Sequence, residues 1–172
     1  MVPILAGKPH GVVFVERAAH LRRHPGQIGF PGGSEDPIDG GDPVRTALRE
    51  LQEEIGIAPD RVKVVGRLPP VEQTLNRFLI TPIVGVLDAG VSYTLDGEEI
   101  VGVFTVPLAS IVEPGEIRED EDFTAASGIT MYLLEHEGRR IWGFTGRILR
   151  LFADAWHVPD SLLRRAIEGA LL

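Results

Sequence analysis

The sequence predicts an α/β sandwich. Apolar, β-branched runs of strand length recur along the chain, one sharply bounded amphipathic helix follows a glycine-rich loop, and no linker, repeat or low-complexity run divides the 172 residues. A buried strand is expected at residues 11–15, followed by the glycine loop and a helix at about 43–55. Strands are expected at 62–66 and 78–87 from their apolar, β-branched runs, with Pro82 marking an edge position or a bulge because it cannot donate to a ladder. Another strand at 100–106 leads into a short helix at 108–112. Segments 129–134 and 139–142 read as a hairpin around Glu137-Gly138, and helices are expected at 146–155 and 160–171, the latter with Asp160 as N-cap.

The helix at 43–55 is the best specified element. Asp42 is placed to cap it, and Pro43 suits the first helical position, where its missing N–H is not needed. Val44, Ala47, Leu48, Leu51 and Ile55 form a core stripe, and Gly56 is placed to end the helix. Glu50, Glu53 and Glu54 stand at i, i+3 and i+4, so they share one face, which the helical angle turns away from the core stripe. Like charges at that spacing cost an isolated helix a few tenths of a kcal/mol per pair. A solvated acidic face is one explanation; oxygen ligands collected for a hard divalent cation are the other.

The residues upstream favour the second. Gly26, Gly29, Gly32 and Gly33, in the run from Leu21 through His24, Pro25 and Gln27 to Phe30-Pro31, let the main chain approach an anion or a metal closely. Glycine loop, connector and glutamate helix together resemble the Nudix box: Gly, five residues, Glu, seven residues, then Arg-Glu-apolar-x-Glu-Glu-x-Gly-apolar. Arg49-Glu50-Leu51-Gln52-Glu53-Glu54-Ile55-Gly56-Ile57 matches the second half at every fixed position. Counted from Gly33, Arg49 falls two places late, and the extra residues lie in the Pro/Gly-rich stretch 34–41. Asp39, or less well Glu35, then represents the acid after the glycine, and its role is expected to be structural.

A subgroup of the family, the coenzyme A diphosphatases, carries a further motif before the box. Arg17, Arg22, Gly26 and Phe30-Pro31-Gly32-Gly33 stand at its spacing, after Val13-Phe14-Val15 and Ala18-Ala19. Leu68-Pro69-Pro70-Val71, Thr81-Pro82-Ile83-Val84-Gly85 and Ile141-Trp142-Gly143-Phe144-Thr145 also look like this subgroup. The resemblance implies a single Nudix domain over residues 1–172, an α/β/α sandwich with a mixed central sheet. It further implies Mg²⁺- or Mn²⁺-dependent hydrolysis of the diphosphate of coenzyme A or its derivatives to 4′-phosphopantetheine and adenosine 3′,5′-bisphosphate.

On that resemblance Glu50 and Glu54 are the leading metal ligands, with Glu53 bridging or binding a further ion and a backbone carbonyl near Gly32 or Gly33 completing the shell. Arg49 holds a glutamate in place rather than binding metal. Arg17, Arg22, Arg23 and Gln27 are the expected substrate contacts. Glu99 is the expected general base; Glu98, Glu119 and Glu121, the last two on an acidic loop, are its competitors. His20 and His24 flank the arginines, while His10, His136 and His157 follow no pattern. Trp142 and Phe144 read as core residues, with base stacking as the other reading.

Composition excludes several classes. A formal net charge of −8 opposes a nucleic-acid surface, and no apolar run approaches the roughly 20 residues that span a bilayer. The first residues, Met1 to Ala6, have no basic stretch and are too short for a signal peptide. With no cysteine there is no disulfide framework and no thiolate chemistry, so a cytoplasmic protein is expected, acting on a small molecule. A homodimer is expected only because dimers are common in the family. Three alternatives stand beside the coenzyme A reading. A Nudix diphosphatase for ADP-ribose, NADH or a nucleoside triphosphate is the first, and a non-catalytic nucleotide-binding module is the second. The module is disfavoured because all three box glutamates are kept. An isopentenyl diphosphate isomerase is disfavoured because the cysteine it needs is missing.

Overall fold

The computed structural model describes residues 1–73, 78–95 and 97–172. Five strands open or cross the first half of the chain: β1 (Val2–Leu5), β2 (Gly11–Arg17), β3 (Ile28–Gly29), then, after helix α1 (Pro43–Ile55), β4 (Val62–Arg67) and β5 (Val71–Gln73). Next come β6 (Phe78–Ile80), β7 (Ile83–Leu87), β8 (Ile100–Pro107) and helix α2 (Leu108–Val112). The chain then forms β9 (Arg118–Glu119), α3 (Glu121–Ser127), β10 (Tyr132–His136) and β11 (Arg139–Ile141), and ends with α4 (Gly143–His157) and α5 (Leu162–Ala170).

The main sheet is mixed. β1 runs parallel to β7, and β2 pairs antiparallel with β1, β3 and β8, while β4 closes the far side against β7. One edge of β2 is shared, with Gly11 and Val12 facing β1 and Val15 and Glu16 facing β3. Alternation along β2 sorts its side chains into two cores. Val13 and Val15 pack with Ala47, Leu51 and Ile55 of α1, whereas Val12 and Phe14 pack with Leu149 and Phe152 of α4 and Ile167 of α5. The result is an α/β/α sandwich, as expected. A second sheet, β11-β10-β9, and a separate β5-β6 ribbon complete the fold.

Several elements differ from expectation for identifiable reasons. The strand expected over 78–87 is broken at Thr81-Pro82: β6 pairs with β5, β7 enters the main sheet, and the Pro82 carbonyl accepts the Leu68 N–H between them. The central strand β1 was not foreseen, because four apolar residues carry no readable period. The acidic stretch expected as a loop at 119–121 forms the end of β9 and the start of α3, with Asp120 accepting from the Phe123 N–H. Asp160 does not cap the last helix. It adopts a left-handed φ of 54°, and Ser161 caps instead through the Arg164 N–H. Around the hairpin turn Glu137 and Gly138 have φ of 48° and 75°, the primed geometry that matches strand twist, though β10 starts at Tyr132 rather than 129.

Helix α4 begins three residues earlier than expected, so Gly146 lies inside its first turns. A Cβ at that position would stand within 2.7 Å of the Tyr132 carbonyl carbon, and closer still to its oxygen. Helix and strand β10 therefore meet backbone to backbone. Gly146→Ala is expected to destabilise the protein by about 1–3 kcal/mol despite alanine's better helix propensity. Urea denaturation of the two proteins measures the difference, and an unchanged or raised midpoint would show that the contact is not tight.

Candidate active site

The acidic helix and the glycine loop meet at the end of β2. Asp42 caps α1 through the Val44 N–H at 2.9 Å, Pro43 takes the first turn, and Gly56 closes it with φ 74°. The core stripe is as expected, with Leu51 and Ile55 buried. The acids are not arranged as expected. Glu54 is only 6 % exposed and lies beneath the loop, where it accepts the Gly32 N–H at 3.0 Å. Its i, i+4 partner Glu50 is 16 % exposed, while Glu53 turns outward at 58 %. An outward acidic face is therefore correct for Glu53 and wrong for Glu54, because the loop folds over the helix and covers it.

Gly33 permits that cover. A Cβ there would stand 2.5 Å from a Glu50 carboxylate oxygen. Burial pushes the Glu54 carboxyl up to about 7; the Gly32 N–H opposes the shift and the Glu50 charge adds to it. The ammonium of Met1, hydrogen-bonded to the Pro31 carbonyl, lies in the same field: burial lowers it to about 6, against the pull of Glu54 and Glu50. The Met1 nitrogen thus stands against the Pro31 carbonyl and within the field of two carboxylates. That donor set is the chemistry of a hard divalent cation, so the residues fit one. The carbonyl that meets the Met1 nitrogen is that of Pro31, two residues before Gly33. Among the described residues no three acidic or histidine side chains converge into a closed cage, and Glu53 is not part of the inner pair.

Arg49 ties loop to helix. Its guanidinium donates to Asp39 through Nε at 3.1 Å and Nη2 at 2.9 Å, to Glu50 and Glu53 through Nη1 at 2.8 Å each, and to the Ser34 carbonyl at 3.0 Å. Asp39, 3 % exposed, also accepts from Thr46 Oγ1 and the Asp36 N–H. The Arg49 guanidinium holds the Asp39 carboxyl well below the usual carboxylate range, with the Asp36 N–H adding to the effect. The lengthened segment folds as a 3-10 turn, Pro37–Asp39, followed by Gly40 and Gly41 with left-handed φ, which returns Asp39 to Arg49.

The remaining predicted residues divide into two groups. Arg17, at the bulged end of β2, pairs with Glu99 at 3.3 Å, and its charge acts on Glu54. Arg17 is thus the link between Glu99, which it pairs, and Glu54, on which its charge acts. Arg17 Nε is buried without a hydrogen-bond partner among the described residues. Arg22 and Arg23 are exposed on the loop that follows, as are His20 and His24. Gln27 accepts the Arg17 N–H through its carbonyl and bonds the His24 ring at 2.8 Å. Glu98 is exposed beside Glu99, while Glu119 lies on β9 and Glu121 on α3.

Comparison with known proteins gives the family and the fold. The NUDIX domain family model matches residues 1–127. An uncharacterized Nudix hydrolase, NudL, of Salmonella newport is 35% identical over 153 residues, which cover 89% of this chain and 79% of that protein. The fold is shared with an Ap4A hydrolase of C. elegans (TM-score 0.56, 18% identity, 89% of this chain and 92% of that one). It is shared equally with RenU, a Nudix hydrolase of M. smegmatis (TM-score 0.57, 17% identity, 92% and 84%). The chain belongs to the Nudix hydrolase family, whose members hydrolyse phosphorus-containing anhydrides and generally use divalent metal ions such as Mg²⁺ or Mn²⁺. Among the described residues no helix is long and apolar enough to cross a membrane.

Two outcomes follow from the loop contacts. Gly33→Ala forces the flexible end of Glu50 aside, so hydrolysis is expected to fall about 10- to 100-fold while the melting temperature hardly moves. Loss of the fold itself, seen by circular dichroism, would contradict this reading. Asp39 has a depressed carboxyl, so its contribution to stability is complete above the unfolded value near 4 and is lost as the pH falls below it. Asp39→Asn is therefore expected to lower stability at pH 7 and to flatten the acid limb of the stability curve. Parallel acid limbs for variant and wild type would overturn the assignment.

Proposed function

We propose that the protein is a metal-dependent diphosphatase acting on coenzyme A or its derivatives. The observation that supports the catalytic part is the buried Glu54 beneath the glycine loop, in the field of Glu50 and Arg17, with Arg17 paired to Glu99. The substrate part rests on Arg17, Arg22, Gly26 and Phe30-Pro31-Gly32-Gly33, which match the coenzyme A subgroup in residue and spacing. Residues beyond 127 share a core with the main sheet through Leu134, Ile141 and Leu149, which supports treating residues 1–172 as one working unit.

Glu50 and Glu54 hold Mg²⁺ or Mn²⁺, with Glu53 on the exposed side available to a further ion. When bound, the metal neutralises charge on the diphosphate oxygens and makes a nearby water more acidic. Glu99 takes the proton from the attacking water, and its pairing with Arg17 fixes the direction in which the carboxylate faces. Arg17 Nε, buried without a partner among the described residues, gains one when a diphosphate oxygen arrives. Arg22 and Arg23 meet the outer phosphates from the exposed loop, and Gln27 holds the loop against β2. Arg49 binds neither metal nor substrate; it orients Glu50 and Glu53.

Purified protein incubated with Mg²⁺ or Mn²⁺ and, in parallel, coenzyme A, ADP-ribose, NADH and dGTP is expected to release 4′-phosphopantetheine preferentially. Preference for ADP-ribose would overturn the coenzyme A assignment and leave the diphosphatase reading standing. Glu54→Gln keeps an acceptor for the Gly32 N–H, so the fold is expected to hold while activity falls by at least about 10²-fold and added Mg²⁺ no longer raises the melting temperature. Activity that survives this change would remove Glu54 from the metal site.

A further inference from the structure

His24 breaks two local rules at once. Its φ is 54°, in the left-handed region that residues with a Cβ seldom enter. It also stands immediately before Pro25, whose ring pushes the preceding residue toward extended backbone. Glycine, the residue suited to such a φ, comes only at Gly26, which is itself at 64°. Strain of this kind persists where surrounding contacts over-determine the backbone.

One side-chain bond and a closed neck hold the turn. The His24 ring meets Gln27 Oε1 through Nδ1 at 2.8 Å, and with the amide oxygen facing the ring, Nδ1 carries the proton and donates. The Gln27 N–H returns to the His24 carbonyl at 3.3 Å, while the Leu21 and Gly26 N–H groups both donate to the Ala18 carbonyl. Within this closed segment, residues 18–27, stand the exposed Arg22 and Arg23.

The neck is shared with the candidate site. The Arg17 N–H donates to the Gln27 carbonyl at 3.0 Å, and the buried Ala18 donates to the Glu99 carbonyl at 2.8 Å. Arg17 and Glu99 are also paired through their side chains. The base of the loop is thus fixed against the strand end, and its tip depends on the turn at His24.

We infer that His24 is a positioning residue: through Gln27 its ring holds the 18–27 loop closed, so that Arg22 and Arg23 are presented to the phosphates already in place. A loop ordered beforehand spares that ordering at binding, so the contact acts on substrate affinity and not on the chemical step. The inference rests on the diphosphatase reading for its substrate.

Asparagine separates this role from direct contact with phosphate. Its Nδ2 stands one bond beyond Cγ, as histidine Nδ1 does, and it tolerates a left-handed φ, yet it has nothing at the place of Nε2. His24→Asn is therefore expected to keep KM for coenzyme A within about two-fold of wild type. His24→Gly admits the backbone but removes the donor, so KM is expected to rise about ten-fold with kcat held within about two-fold. Trypsin reads the loop without substrate. Cleavage after Arg22 or Arg23 is expected to be about ten-fold faster in His24→Gly and to keep its wild-type rate in His24→Asn. Should His24→Gly fail to fold, Gln27→Ala removes the same bond from the other side and replaces it in both assays. A His24→Asn protein with the defect of His24→Gly, a fall in kcat, or equal trypsin cleavage of His24→Gly and wild type overturns the role. A wild type that cleaves no coenzyme A loses the coenzyme A reading, and the trypsin comparison then decides the loop.

Discussion

The contact on which the site depends is the guanidinium of Arg49. It joins a buried acid of the loop, Asp39, to two acids of the helix, Glu50 and Glu53, and to the main chain at Ser34. Lysine could not replace it, because only the planar fork offers donors in several fixed directions at once. The helix places like charges on one face, and the cation between them removes the repulsion that spacing would otherwise carry. Without Arg49, Asp39 would be an uncompensated charge in the interior, a far larger penalty than loss of an exposed pair. Loop and helix are therefore held together from beneath, and the glycines above need only follow.

That arrangement gives two buried acids opposite environments. Asp39 sits among donors, and Arg49, Thr46 and the Asp36 N–H stabilise its charge. Glu54 lies under the same loop, where the Gly32 N–H, the Met1 amino group and Arg17 favour its charge and Glu50 repels it, and burial dominates. One short motif thus holds one buried acid kept charged by its donors and a second pushed by burial toward its neutral form.

The sequence was informative where a rule acts over a few residues. The helix from Pro43 to Ile55, its caps and its apolar stripe were all legible, since capping and helical period are local. The role of Asp39 was open in the sequence, and its contacts with Arg49 and Thr46 are those of a structural acid. Burial of Glu54 was not legible: helical geometry gives the direction of a side chain, not what folds over it. Strand β1 and the divided strand at Pro82 escaped because pairing partners lie far along the chain, and four apolar residues do not name theirs.

The position of the site follows from the alternation on β2. Val13 and Val15 belong to the layer that holds α1, and Phe14 to the layer that holds α4, where it stacks on Phe30 at 5.0 Å and on Phe104 at 5.6 Å. Arg139 lies over Phe104 at 4.5 Å, which ties β11 to the same layer. Where β2 ends, at Arg17, both layers reach its edge: α1 brings the glutamates from one side, and β3 with the first turn of α4 stands on the other. A substrate lying across this strand end would meet the carboxylates with its diphosphate and the α4 layer with whatever the diphosphate carries.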